Sequence, residues 1–142
     1  LRLYLDSSAL VKLVQTEPES AALRRYLRER SGDSRVTCAL ARTEVVRAVA
    51  AGGTSAVAKA RRQLGRVDQV VLTASLLDSA ATLAPAQQLR SLDAIHLASA
   101  LLLGRELAGV VTTTLEWPRP PALWASLWTH RDSPDEGATS AS

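Results

Sequence analysis

Four short apolar runs recur along the chain, and each is separated from the next by segments patterned as helix rather than by a tight turn. The runs are Leu1–Leu5, Arg35–Cys38, Val67–Leu72 and Gly109–Thr112. Between them, helices are expected from Ser7 or Ser8, from Ser20, over Ala41–Ala51, from a Thr54 cap to Leu64, over Ala74–Leu83, and from Ser91 to near Gly104. Antiparallel neighbours can be joined by a two-residue hairpin, whereas parallel neighbours need a crossover, usually a helix. The alternation therefore predicts an α/β fold, a short parallel central sheet flanked by helices on both faces. No internal repeat is present.

At 142 residues the chain falls within the size of a single domain able to bury a core. An apolar content of 46% argues against global disorder. No run is long and apolar enough to span a bilayer, and Arg2 and Asp6 interrupt a signal-peptide pattern, so a cytoplasmic protein without membrane association is expected. Cys38 is the single cysteine, which leaves no internal disulfide and no cysteine cluster for zinc. The net charge of +3 is mild, but all the basic residues except Lys12 and Lys59 are arginines, a side chain suited to bidentate phosphate contact. Arg24, Arg25, Arg28 and Arg30 share one helix, and Lys59, Arg61, Arg62 and Arg66 form a second basic cluster. Either group serves as a solvated face or as a phosphate track.

Three acids stand at comparable element ends. Asp6 follows the first strand, Glu44 sits early in the helix after the second, and Asp93 lies in the first turn of the largely apolar segment Ser91–Ala100. Each has an ordinary explanation as a capping or dipole-compensating carboxylate. Open α/β sheets, however, place their chemistry outside the carboxyl ends of the strands, and these three positions would converge there. Carboxylates gathered in one pocket repel one another unless a cation neutralises them. Hard oxygen donors without cysteine or paired histidine favour Mg²⁺ or Mn²⁺ over Zn²⁺. His96, three residues after Asp93, reads as a packed, hydrogen-bonded histidine rather than a catalytic one.

The segments Leu3-Tyr4-Leu5-Asp6-Ser7-Ser8-Ala9-Leu10-Val11-Lys12, Thr43-Glu44 and Leu89-Arg90-Ser91-Leu92-Asp93-Ala94-Ile95-His96-Leu97-Ala98 resemble the PIN domain, and in particular the VapC toxins of bacterial toxin–antitoxin pairs. The likeness runs from Leu1 to about Thr113. It implies a PIN-like fold and a Mg²⁺-dependent endoribonuclease, with Mn²⁺ as an alternative ion, that hydrolyses RNA phosphodiester bonds and is silenced by a VapB-type antitoxin. Asp6, Glu44 and Asp93 match the family's metal-binding, catalytic acids, with Ser7 or Thr43 as hydrogen-bonding neighbours. The helices on either side of the Glu17–Ser20 break carry more apolar residues than one small sheet is expected to cover. An antitoxin or a second copy, giving a homodimer, is therefore expected against them.

The chain departs from the family after the fourth strand. A fourth acid, an Asp, usually follows the Val-Thr at that point; here Val111-Thr112-Thr113 leads to the neutral Thr114. All three tryptophans and four of the six prolines lie beyond it. The expected organisation is a PIN-like domain over 1–116 and an atypical, partly disordered Trp/Pro-containing tail over 117–142. A frameshift accounts for the change: one restored base before the codon of Thr114 permits a frame with an Asp, an alanine-rich helix and a Leu-Gly-Val strand. The alternative function is then a catalytically impaired toxin relic that acts only as an antitoxin-binding or dimerising module. A nucleotide-binding or phosphatase domain is disfavoured by the lack of a glycine-rich phosphate loop.

Overall fold

The computed structural model describes residues 1–83 and 89–112. Its strands are β1 (Arg2–Leu5), β2 (Ser34–Cys38), β3 (Asp68–Val70) and β4 (Leu107–Val111). They form one sheet in the order β3-β2-β1-β4, and every neighbouring pair is parallel. Tyr4 is the hub of the register, opposite Val36 on β2 and Val110 on β4. The helices are α1 (Ser7–Val14), α2 (Ser20–Glu29), α3 (Ala41–Val49), α4 (Gly53–Leu64), α5 (Ala74–Ala81) and α6 (Ser91–Leu101). The expected α/β class with helices on both faces is the observed one.

Side chains alternate across a strand, so β1 feeds two cores. Leu3 and Leu5 join Leu10, Leu13, Leu23, Leu27, Val45, Val49 and Leu64, which places α1–α4 on one face. Tyr4 points the other way and packs with Val36, Cys38, Leu97, Ala100 and Val110 beneath α6. A smaller cluster of Leu76, Ala80, Ala94 and Ala98 fastens α5 to α6.

Several local expectations need correction. The α1 N-cap is Asp6 itself, whose side chain accepts from the Ala9 amide, rather than Ser7 or Ser8. A carboxylate at the N-cap position outcompetes a following hydroxyl because the chain there is still extended and its oxygen reaches the N3 amide. At α4 the N-cap falls on Gly52 and not Thr54, with Gly53 at φ 83°, a backbone conformation that glycine adopts without steric cost. At α6 the N-cap falls on Arg90 and has no side-chain cap bond, so neither Ser91 nor Asp93 caps that helix. The third strand shortens to three residues, and Val71, expected within it, is 70% exposed. In the largely apolar α6, Leu92 is exposed, as is Leu102 just beyond its end.

The expected uncovered apolar face on α1 and α2 is absent among the described residues. Leu10, Leu13 and Val14 of α1 and Leu23 and Leu27 of α2 are buried within the chain. The exposed large apolar side chains are Leu1, Val71, Leu77, Leu92 and Leu102, none of them on α1 or α2. The Arg-rich side of α2 is partly engaged as well: the Arg30 guanidinium stacks 4.2 Å from the Tyr26 ring centre. Among the described residues no helix is long and apolar enough to cross a membrane. The Trp/Pro-containing tail and Thr114 lie outside the described residues.

Candidate active site at the carboxyl edge of the sheet

Parallel strands end on one edge, and the loops that leave them deliver the acids there. Asp6 is the residue immediately after β1, and its amide donates to the Val111 carbonyl at 3.2 Å, which ties it to the end of β4 as well. Its carboxylate is buried, and Oδ1 accepts from the Ser8 hydroxyl (2.6 Å) and the Ala9 amide (2.9 Å). Ser8 also lies 3.4 Å from the Thr112 hydroxyl, the last described residue after β4.

Glu44 stands in the first turn of α3, as anticipated, and its side chain is 25% exposed. Two donors converge on its Oε1: the Ser7 hydroxyl at 2.8 Å and His96 Nε2 at 2.6 Å. His96 Nε2 is also 3.2 Å from Ser7, so residues from α1, α3 and α6 form one hydrogen-bonded knot. Asp93, in the first turn of α6, accepts at Oδ2 from Arg90 Nε at 2.9 Å.

His96 is the residue whose role the sequence underrated. It is buried, as a packed histidine should be, but its partners connect the core to the acid edge. Nδ1 lies 2.7 Å from the Tyr4 hydroxyl and 3.6 Å from the Cys38 sulfur. The Tyr4 and His96 rings meet edge to face with centroids 6.0 Å apart. Tyr4 and Cys38 thus support the site, and the sequence signals this only through the position of Tyr4 directly before Leu5-Asp6. Ser7 performs its expected hydrogen-bonding part on Glu44, whereas Thr43 is exposed.

Burial opposes a charge on His96, but the Cys38 thiol and the Glu44 carboxylate outweigh it and hold the imidazolium above the ordinary histidine range. Burial likewise opposes the Glu44 carboxylate, and the bonds from His96 and Ser7 together with the nearby Arg90 charge hold its pKa below the usual value. Burial pushes the Tyr4 hydroxyl up, so it serves as a neutral phenol.

The donor set, oxygen throughout, suits a hard cation in its chemistry. Each acid commits one oxygen to the protein (Asp6 Oδ1, Glu44 Oε1, Asp93 Oδ2), while the other oxygen accepts no hydrogen bond among the described residues. The three carboxylates nonetheless do not form a ready cage: among the described residues no group of three or more His, Cys, Asp or Glu side chains is placed to hold a metal ion. Local cations stand in instead, His96 against Glu44 and Arg90 against Asp93.

A parallel four-stranded sheet with acids gathered toward its carboxyl edge is the arrangement of a PIN domain, and the PIN-domain family matches residues 3–113. The chain is 52% identical over 110 residues to Ribonuclease VapC46 of Mycobacterium tuberculosis, covering 78% of this chain and 82% of that protein. It is 43% identical over 113 residues to Ribonuclease VapC47 of the same species, with the same coverages of 78% and 82%. The fold aligns with the crystal structure of M. tuberculosis VapC20, described as a sarcin–ricin loop cleaving toxin, with a TM-score of 0.64 and 17% identity over 81% of this chain and 92% of that one. The chain belongs to the PIN-domain family, in its VapC group.

Proposed function

We propose that this protein is a ribonuclease toxin of the VapC type, a cytoplasmic endonuclease that hydrolyses RNA phosphodiester bonds and is restrained by a VapB-type antitoxin. The observation that carries the reading is the knot at the carboxyl edge. Ser7, Glu44 and His96 join the heads of α1 and α3 to α6, next to Asp6 and one turn from Asp93, in a chain 52% identical to a ribonuclease over 110 residues. Asp6, Glu44 and Asp93 are the catalytic acids in this reading. They would hold Mg²⁺, or Mn²⁺ in its place, through the oxygens not already bonded to the protein.

When bound, such an ion activates water and offsets charge on the transferring phosphoryl group. The chain's own residues set the stage for it. Asp6 is fixed by Ser8 and the Ala9 amide, and Glu44 by Ser7 and His96, so each of these carboxylates has one oxygen held by the protein before an ion binds. Arg90 holds Oδ2 of Asp93 from the exposed side, so Oδ1 is the oxygen that would face the ion. The test is cleavage of single-stranded RNA by the purified protein with Mg²⁺ or Mn²⁺, beside Asp6→Asn. Metal-dependent cleavage abolished by Asp6→Asn supports the reading; cleavage that survives both a chelator and Asp6→Asn refutes it.

A second reading is favoured by where the likeness stops. The family match ends at residue 113, immediately before Thr114. In that reading residues 117–142 are a frameshifted tail, the fourth acid is lost, and the protein is a weakened nuclease that retains antitoxin binding or self-association. Genomic sequence around the Thr114 codon decides it: an open frame without a slippage site removes the frameshift.

A further inference from the structure

Glu44 is the one acid of the three whose geometry is governed from inside the sheet. Ser7 and His96 both bind Oε1, and Oε2 accepts no hydrogen bond among the described residues. Because the partner of His96 Nε2 is an ionised carboxylate oxygen, which only accepts, Nε2 carries a hydrogen and donates it. The ring's other nitrogen is held by the Tyr4 hydroxyl at 2.7 Å, and Tyr4 is fully buried at the centre of the sheet, opposite Val36 and Val110. A rigid chain of contacts therefore runs from the middle strand through an imidazole to a single carboxylate oxygen.

We propose that His96 is a positioning residue, oriented by Tyr4, that takes up Oε1 of Glu44 so that Oε2 is presented to the divalent cation. The inference rests on the reading of Glu44 as a metal-holding acid. His96 touches neither ion nor RNA; it acts by fixing where the carboxylate points. A carboxylate free to rotate about its last torsion would sample both oxygens and many directions, and the ordering cost would then fall on ion binding. Contacts of this kind to metal-holding groups are worth about 10–100-fold in metal affinity or activity. Tyr4, remote from the acid edge, is expected to share in the effect because loss of its hydroxyl leaves Nδ1 with only the weaker contact to the Cys38 sulfur and loosens the ring.

The experiment compares the full chain with His96→Leu, His96→Gln and Tyr4→Phe, each checked for a cooperative thermal transition. Mn²⁺ binding is read directly from the paramagnetic resonance of free Mn²⁺, and cleavage of one RNA oligonucleotide is resolved into kcat and KM. His96→Leu should weaken Mn²⁺ binding by about 10–100-fold and lower kcat at saturating Mn²⁺ while leaving KM for RNA near the parent value. His96→Gln keeps an N–H donor near the Nε2 position and should recover a large part of both losses. Tyr4→Phe should fall between the parent and His96→Leu. If His96→Leu fails to fold, His96→Gln and Tyr4→Phe carry the comparison. Parent-like Mn²⁺ affinity in Tyr4→Phe and His96→Gln, or equal loss in His96→Leu and His96→Gln, overturns the proposal. If the parent chain neither binds Mn²⁺ nor cleaves RNA, the ribonuclease reading and this proposal fall together; if the parent does both and the variants match it, the positioning role alone is wrong.

Discussion

Replacing Thr37 by Val should make the protein more stable. Thr37 lies in β2 with no exposed surface, and its hydroxyl is the buried side-chain polar atom that has no hydrogen-bond partner among the described residues. Leaving such a group dry and unpaired costs about 1–3 kcal/mol, while its neighbours in the strand already supply the backbone pairing. Valine has nearly the same shape and adds apolar contact where the hydroxyl stood. Taking the lower part of the range, a gain of about 1–2 kcal/mol corresponds to a rise in Tm of roughly 3–6 °C for a chain of this size. Urea unfolding followed by circular dichroism measures it, with the slope of the transition unchanged. Thr37→Ser is the control: it keeps the unpaired hydroxyl, loses the methyl, and should unfold at lower urea than the parent. If Thr37→Val is no more stable than the parent, the hydroxyl has a partner in solution and the argument from its isolation fails.

Three further outcomes follow from the acid edge. The pKa of Glu44 is held below its ordinary 4.5 and that of His96 above its ordinary 6.5, so their pairing stabilises the fold fully between those values. That contribution fades as pH falls through the lowered Glu44 value and again as pH rises through the raised His96 value; Tm against pH in chelator should show both shoulders, and Glu44→Gln should remove the acid one and reduce the alkaline one, to which Cys38 also contributes. Arg90→Gln removes a positive charge beside Asp93; because exposed pairs are worth about 0.2–1 kcal/mol, Mn²⁺ should bind up to about fivefold more tightly, and calorimetric titration showing weaker binding would contradict an opposing role for the Arg90 charge. Thr114→Asp adds a carboxylate at the position where the family carries one, and should raise Mg²⁺-dependent RNA cleavage in part, because a carboxylate is the stronger ligand for that ion; an unchanged rate would show the fourth acid to be dispensable.

The fold class was legible because period and connection length constrain topology strongly: apolar runs joined by helical segments leave a parallel sheet as the solution. Boundaries were less legible where two chemistries competed for one position. Asp6, Ser7 and Ser8 are all good caps, and only the extended backbone at Asp6 decides among them. The apolar count of α1 and α2 suggested an uncovered face because counting does not show that the two helices, with α3 and α4, close over Leu3 and Leu5. At the site, the three acids were readable from their places after strands and at helix heads. Their bonding was not, because Tyr4, Cys38 and His96 are far apart in sequence, and nothing local announces that an imidazole in an apolar helix will reach a glutamate 52 positions earlier. The committed and uncommitted oxygens of each carboxylate are likewise a property of three-dimensional arrangement alone.

The place of β1 in the sheet has a consequence in time. It is made first, yet it lies between β2 and β4, and its second edge stays unpaired until Val111 exists to receive the Asp6 amide. The knot on Glu44 has to wait as well, for His96 to be synthesised. At about 5–20 residues per second, several seconds separate the translation of Asp6 from that of its last partners. Throughout that interval the nascent chain carries an open strand edge and an incomplete set of acids. The contacts of Asp6 with Ser8 and Ala9, and of Ser7 with Glu44, join residues made early, whereas those from His96, Arg90 and Val111 can form only after most of the chain exists, so the site is complete only when the middle strand is closed on both sides.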